Sequence, residues 1–187
     1  MKLIVGITGA SGIIYGIRLL EALKAAKVET HLVVSKAAQL TLAQETSMKL
    51  SELQNVADYH YPANDIGAAI ASGSFKNTGM IIAPCSIKSM SEIATGVTTG
   101  LIARAADVTL KERRKLVLMV RESPLHLGHL RTMVSLSEMG AIIAPPLPAF
   151  YPKPKNIDEL INHNIGRILD LFDIDTSLVK RWKGLKA

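Results

Sequence analysis

Gly9-Ala10-Ser11-Gly12 follows directly on an apolar run, Leu3–Ile7, and leads into a helical pattern that begins at Ile13. Glycines in such a turn let the backbone approach a phosphate, and the first helical N–H groups face it with the positive end of the helix dipole. Ser11, Ser35 and Ser86 each stand just ahead of a predicted helix, and Ser86-Ile87-Lys88-Ser89 adds a cation. Arg121 and Glu122 follow a further apolar run, and Cys85 directly precedes Ser86. The set offers hydroxyls, an arginine and a lysine for holding an anion, with a carboxylate able to carry a proton. Each member also has a plainer explanation. Serine is a favoured helix N-cap whatever the function. Arg121 and Glu122 suit a solvated pair, and Cys85 suits a small buried hydrophobe, since nothing near it in sequence lowers its pKa. The functional case rests on convergence of these residues at one edge of the molecule.

The elements that must position them are legible from periodicity. Leu3–Ile7, Thr30–Val34, Met80–Ala83, Leu116–Val120 and Ala141–Ala144 are apolar without strict alternation, as strands covered on both faces are. Helical patterns occupy about 13–26, 37–45, 87–95, 99–111 and 125–139, and an amphipathic Ile157–Phe172 follows a proline loop. This alternation predicts a single α/β domain, a doubly wound Rossmann-like parallel sheet with helices on both faces. Ligands of such sheets lie outside the carboxyl ends of the strands. The glycine turn, the serines, Arg121 and Glu122 all stand there. Residues 58–78 read as an irregular loop, of a length that is functional or disordered.

Composition narrows the class. A chain of 187 residues, 48% hydrophobic and 20% charged, is sized and composed for one compact domain. It opens without a signal-peptide pattern and contains no apolar stretch long enough to span a bilayer, so a cytoplasmic location and no membrane partner are expected. Cys85 is the one cysteine, which excludes a disulfide framework and a cysteine-based zinc site. His126 and His129 lack a nearby third ligand, so no metal is expected. The net charge of +6 invites nucleic acid, but with 4% aromatic residues there is little to stack bases on, and a small phosphate ligand is favoured.

Among phosphate ligands, NAD(P) is suggested by Gly6-x-x-Gly9-x-x-Gly12, yet the second strand ends Val33-Val34-Ser35-Lys36 without the acid that holds a ribose. The one Tyr-x-x-x-Lys spacing, Tyr151-Pro-Lys-Pro-Lys155, holds two prolines and cannot be helix interior. No Gly-x-Ser-x-Gly elbow is present for a serine hydrolase. A mononucleotide such as FMN needs one phosphate cradle and no ribose acid, and fits better.

Thr8-Gly-Ala-Ser-Gly12, Ser35-Lys-Ala-Ala38, Ala71-Ser-Gly-Ser74, Pro84-Cys-Ser86, Arg104-Ala-Ala-Asp107, Lys111-Glu-Arg-Arg114, Arg121-Glu122 and Phe150-Tyr151 occur in this order. In that ordered set the chain resembles the UbiX-type flavin prenyltransferases, from residue 3 to Trp182. The resemblance implies binding of FMN and transfer of a dimethylallyl group from dimethylallyl phosphate to flavin N5 and C6, without a metal. The prenylated FMN then serves a UbiD-type decarboxylase. By resemblance, Gly9, Ala10, Ser11, Ser35, Ser86, Ile87, Lys88, Ser89 and Arg121 hold FMN. Arg104, Lys111, Tyr151 and Arg167 match positions around the prenyl phosphate, and Ser11, Glu122 and Lys111 take part in the chemistry. A homo-oligomer is implied, typically a dodecamer with sites between subunits, with the C-terminal helix and tail from about 155 to 187 at an interface. Some members carry a Trp before Ala-Ser-Gly-Ser, whereas Asn64-Asp65-Ile66-Gly67-Ala68 has none, which leaves the prenyl donor open. Two alternatives share the flavin site. A cysteine-decarboxylase relative needs a Pro-x-Met-Asn motif where this chain has Pro145-Pro-Leu-Pro148. A non-catalytic flavin subunit of a decarboxylase complex would not need Lys111, Glu122, Tyr151 or Arg167.

Overall fold

In the computed structural model, which describes residues 1–184, six strands form one parallel sheet. They are β1 (Lys2–Ile7), β2 (Glu29–Val34), β3 (Tyr59–Tyr61), β4 (Gly79–Cys85), β5 (Lys115–Val120) and β6 (Ile142–Ile143). Their order across the sheet is β3-β2-β1-β4-β5-β6. The chain therefore winds outward in both directions from the pair β1 and β4. The crevice beyond that pair is the topological switch point where doubly wound sheets bind ligands. Helices α1 (Ile13–Ala25), α2 (Lys36–Glu45), α3 (Leu50–Gln54), α4 (Ile87–Thr95), α5 (Leu101–Lys111), α6 (Leu127–Glu138) and α7 (Ile157–Asp170) cover the faces.

Strand side chains alternate between two cores, which is why the strand sequences show no polar alternation. Leu3, Val5 and Ile7 of β1 join Ile81 and Ala83 of β4 in a cluster with α1, α2, α3 and α7. Ile4, Met80, Ile82 and Cys85 pack on the opposite side with residues of α4, α5 and α6. Leu3, Val5, Ile7, Ile81 and Ile82 are fully buried, each contributing about 1.5–3 kcal/mol of apolar burial. Gly16 brings α1 tightly onto this floor, since a Cβ there would stand 2.6 Å from the Ala83 carbonyl oxygen.

The stretch 58–78, expected as an irregular loop, holds the sixth strand. β3 pairs with β2 through His31↔Tyr59, Leu32↔His60 and Val33↔Tyr61. Three residues are too few to display a period, so side chains fix the strand instead. The His31 ring stacks on Tyr59 at 4.8 Å and its Nδ1 lies 2.8 Å from the Tyr61 hydroxyl. Asp58 accepts from the Thr30 amide at 2.8 Å and from its hydroxyl at 3.0 Å. Further along, a short 3₁₀ turn (Ala69–Ala71) appears, and Arg114 donates to the Phe75 and Gly73 carbonyls at 2.7 and 2.8 Å. The segment is ordered by polar contacts to its neighbours. Helix α3 is likewise additional, and α6 and α7 are shorter than their sequence patterns by one or two residues at an end.

Candidate functional site

The cleft at the β1/β4 switch point is built on Thr8. Its hydroxyl donates to the Pro84 carbonyl at 2.7 Å and accepts from the Ser86 amide at 2.7 Å, while its own amide reaches Pro84 O at 3.2 Å. One buried side chain thus locks the end of β1 to the turn that leads from β4 into α4. Beside it, Arg121 N–H donates to the Cys85 carbonyl at 3.1 Å, which carries the end of β5 into the same rim. The result is a cleft of about 350 Å³ lined by Gly9, Ala10, Ser11, Ser86, Ile87, Lys88, Arg121 and Glu122. Eight residues from three strand ends that were singled out in the sequence share one wall. Ser35 stands at the next strand end, where its amide donates to Ile7 O at 3.0 Å. Ser89 lies beneath the rim, buried and in contact with Ser86 Oγ at 3.2 Å.

Two of the three serines cap helices as their positions suggest. Ser35 Oγ accepts from Ala38 N at 3.1 Å and Ser86 Oγ from Ser89 N at 3.3 Å. Ser11 does not cap α1. The N-cap is Gly12 at φ +98°, a left-handed conformation natural to glycine, and no side chain caps there. The anion at this helix start comes from the chain itself. Glu45, the last residue of α2, accepts from Gly12 N at 2.9 and 3.2 Å and from Ile13 N at 3.0 Å. Burial pushes its carboxyl up, but the Ser11 side chain, the Ile13 and Gly12 amides and the nearby Arg121 charge outweigh burial and hold it below the usual carboxylate range. Glu45 escaped the sequence reading because it is 33 residues from its partner and belongs to no local motif.

The first amides of α1 are therefore engaged, and the donors left for an external anion are different ones. The N-termini of α2 and α4 point amides toward this edge, and Gly9 packs so closely on Ala37 that a side chain there would overlap it. Lys88 is exposed and paired with Glu92 at 3.0 Å. Arg121 has no ion pair among the described residues, and Glu122 bonds only to the amide of Ser123 at 3.0 Å. An unpaired guanidinium beside helix N-termini is a donor set suited to a phosphate. Gly9, Ala10 and Ile87 supply the small and apolar part of the rim. Cys85 is fully buried and its thiol is pushed up to about 12 by that burial, so it supplies no nucleophile. His126 is an N-cap whose Nδ1 accepts from Gly128 N at 3.0 Å.

Arg104, Lys111, Tyr151 and Arg167 are not brought into this cleft within one chain. Arg104, on α5, pairs with Asp107 at 2.9 Å and donates to the Ala71 carbonyl at 3.2 Å. Lys111 is paired with Glu112 at the end of the same helix. Tyr151 sits over α7, its hydroxyl 3.3 Å from His163 Nε2, and Arg167 pairs with Asp170 at 2.7 Å. None of the four bonds to a residue lining the cleft.

Known proteins resemble this chain over nearly its whole length. The family model described as Flavoprotein matches residues 1–175. A flavin prenyltransferase UbiX from Thauera aromatica is 56% identical over 98% of this chain and 95% of its own length. The crystal structure of AnUbiX in complex with FMN and dimethylallyl pyrophosphate superposes with a TM-score of 0.97 at 48% identity, covering 99% of this chain and 98% of that one. A dodecameric FMN-dependent UbiX-like decarboxylase from Escherichia coli gives 0.96 at 47% identity, covering 98% of this chain and 100% of that one.

Proposed function

The chain belongs to the flavoprotein family as one of its UbiX-type flavin prenyltransferases, and on that premise we propose that it transfers a dimethylallyl group from dimethylallyl phosphate to reduced FMN. The observation that carries this is the switch-point cleft with an unpaired Arg121 beside the N-termini of α2 and α4. That donor set suits the phosphate of a mononucleotide, and no carboxylate stands at the end of β2 to hold a second ribose. When bound, reduced FMN supplies the nucleophilic ring positions N5 and C6.

The protein's own groups divide the remaining work. Arg121 and the amides around Ser86 and Ser35 hold the flavin phosphate, and Gly9 and Ala10 leave room for the ring. Ser11 lines the cleft and offers a hydroxyl there. Breaking an allylic C–O bond leaves positive charge on the prenyl group and negative charge on the departing phosphate. Preplaced donors on that phosphate lower the barrier electrostatically without a metal. Arg104, Lys111, Tyr151 and Arg167 are those donors in this proposal, and Glu122 on the cleft rim carries the proton given to phosphate or taken at ring closure.

Because those donors lie outside the cleft of their own chain, the complete site is shared between copies of a homo-oligomer. An exposed apolar stripe supports such contacts. Leu127, Leu130 and Val134 on α6 follow the i, i+3, i+7 spacing of one helix face and are 59%, 45% and 58% exposed; Leu147 and Phe150 are exposed as well. The Escherichia coli relative is a dodecamer, and we adopt that state for this chain. Its product passes to a decarboxylase of the UbiD type. No helix among the described residues is long and apolar enough to cross a membrane.

Anaerobic incubation of the purified protein with reduced FMN and dimethylallyl phosphate, followed by mass spectrometry of the flavin, tests the proposal. A flavin gaining one dimethylallyl group is the expected result. Tight FMN binding with an unchanged flavin would exclude prenyl transfer and leave a flavin-binding subunit. A parallel arm with dimethylallyl pyrophosphate reads the donor preference.

A further inference from the structure

Asp170 is the least exposed member of a charge cluster that joins α7 to the chain's C-terminal segment. Its side chain is 15% exposed, against 56% for Arg167 and 54% for Arg181. Arg167 Nη1 donates to Oδ2 at 2.7 Å. Arg181 donates to the same carboxylate with both terminal nitrogens, at 3.1 Å to Oδ2 and 3.0 Å to Oδ1. The Arg181 hydrogen bonds, and after them the charges of both arginines, hold the Asp170 carboxyl below the usual range despite its burial. The next residue, Trp182, meets Tyr151 edge-on at 5.6 Å, and Tyr151 reaches His163 one turn before Arg167 on α7. Two of the four side chains assigned above to the prenyl phosphate, Tyr151 and Arg167, therefore share one scaffold.

Arginine on a helix surface samples many rotamers, and fixing one costs side-chain entropy. A single bond from Nη1 to a carboxylate three residues on restricts that freedom and leaves Nη2 and Nε with donors to spare for an anion. Arg181 grips the carboxylate from the other side, which fixes the direction in which Oδ2 faces Arg167. We propose that Asp170 is a positioning residue that holds Arg167 in the orientation for binding the phosphate of the prenyl donor, and that Arg181 orients Asp170. The inference rests on the assignment of Arg167 to that phosphate.

The test measures KM for dimethylallyl phosphate, kcat and the FMN dissociation constant in Asp170→Asn, Arg181→Met, Arg167→Met and the pairwise combinations, each as the full chain. Asp170→Asn is expected to raise KM by about tenfold, as loss of a charge-assisted hydrogen bond at a partly exposed site does, with FMN affinity unchanged. Arg181→Met raises it less. In the Arg167→Met background neither substitution raises KM further, because Asp170 acts only through Arg167. Additive effects in that background overturn the proposal, since a role in general stability acts independently of Arg167. If Arg167→Met leaves KM unchanged, the assignment of Arg167 to phosphate fails. If it raises KM and Asp170→Asn does not, the positioning role alone fails. Should Asp170→Asn prove unable to fold, the Arg181→Met and Arg167→Met pair reads the same coupling, and additivity there overturns the proposal equally.

Discussion

Glu45→Gln removes the charge that sits on the start of α1 while nearly keeping shape. The carboxylate accepts from two backbone amides, Gly12 N and Ile13 N, at distances of 2.9–3.2 Å. A negative charge at an exposed helix N-terminus contributes about 0.3–1 kcal/mol. Hydrogen bonds to a charged group contribute about 1.5–3 kcal/mol when fully protected, less here because Glu45 is exposed and its field is screened. The amide of Gln can offer one oxygen, but its NH₂ faces backbone N–H groups that also donate. A loss of about 1–1.5 kcal/mol follows, which for a chain of this size lowers Tm by about 2–5 °C. The pH dependence carries a sign. The folded carboxyl lies below its ordinary value of 4.5, so as pH falls the unfolded chain takes up the proton first. The stabilisation is therefore complete above that ordinary value and is lost as pH drops through it toward the folded value. Thermal melts of both proteins from pH 7 to pH 3 should show the gap closing in acid. Glu45→Ala should lose more, and acetate, which can refill the vacated position, should restore part of its Tm by mass action without affecting the wild type. A Gln variant that melts with the wild type at pH 7, or a gap that stays constant down to pH 3, would refute the assignment of Glu45 as the anion of this helix.

Arg121→Met removes an unpaired guanidinium from the cleft, so FMN should dissociate about 10–100-fold more readily with Tm of the ligand-free protein little changed; equal FMN affinity by fluorescence titration takes Arg121 out of the phosphate site. Leu130→Glu with Val134→Glu places charge in the exposed stripe of α6 and should yield smaller species in sedimentation velocity at unchanged helical circular dichroism; an intact assembly means that α6 lies outside the interface. Cys85, buried with a thiol at about 12, should resist iodoacetamide at pH 8 in the folded protein and react once it is denatured; rapid labelling of the native state contradicts its burial.

Legibility of the fold followed burial. Strands β1, β4 and β5 were readable because both of their faces are covered, so Leu3 to Ile7 and Leu116 to Val120 are continuous apolar runs. Strand β3 was not, because Tyr59-His60-Tyr61 is held by side-chain stacking and by Asp58, which leave no periodic trace. At the site, Ser35 and Ser86 were readable since capping is a local property and the capped amide lies three residues on. Ser11 looked identical in sequence and behaves differently, because Gly12 takes over the cap position and an acid from another helix occupies the free amides. That acid was visible in one respect. Glu45 ends α2 at the negative pole of its own helix, with no basic residue in the last turn to offset it. A carboxylate in a locally unfavourable place implies a compensating partner elsewhere, and here the partner is the positive pole of α1. The same logic separates two kinds of cation. Lys88 and Arg104 are paired with acids four and three residues on, whereas Arg121, near Glu45 but in no ion pair among the described residues, keeps guanidinium donors free for an anion.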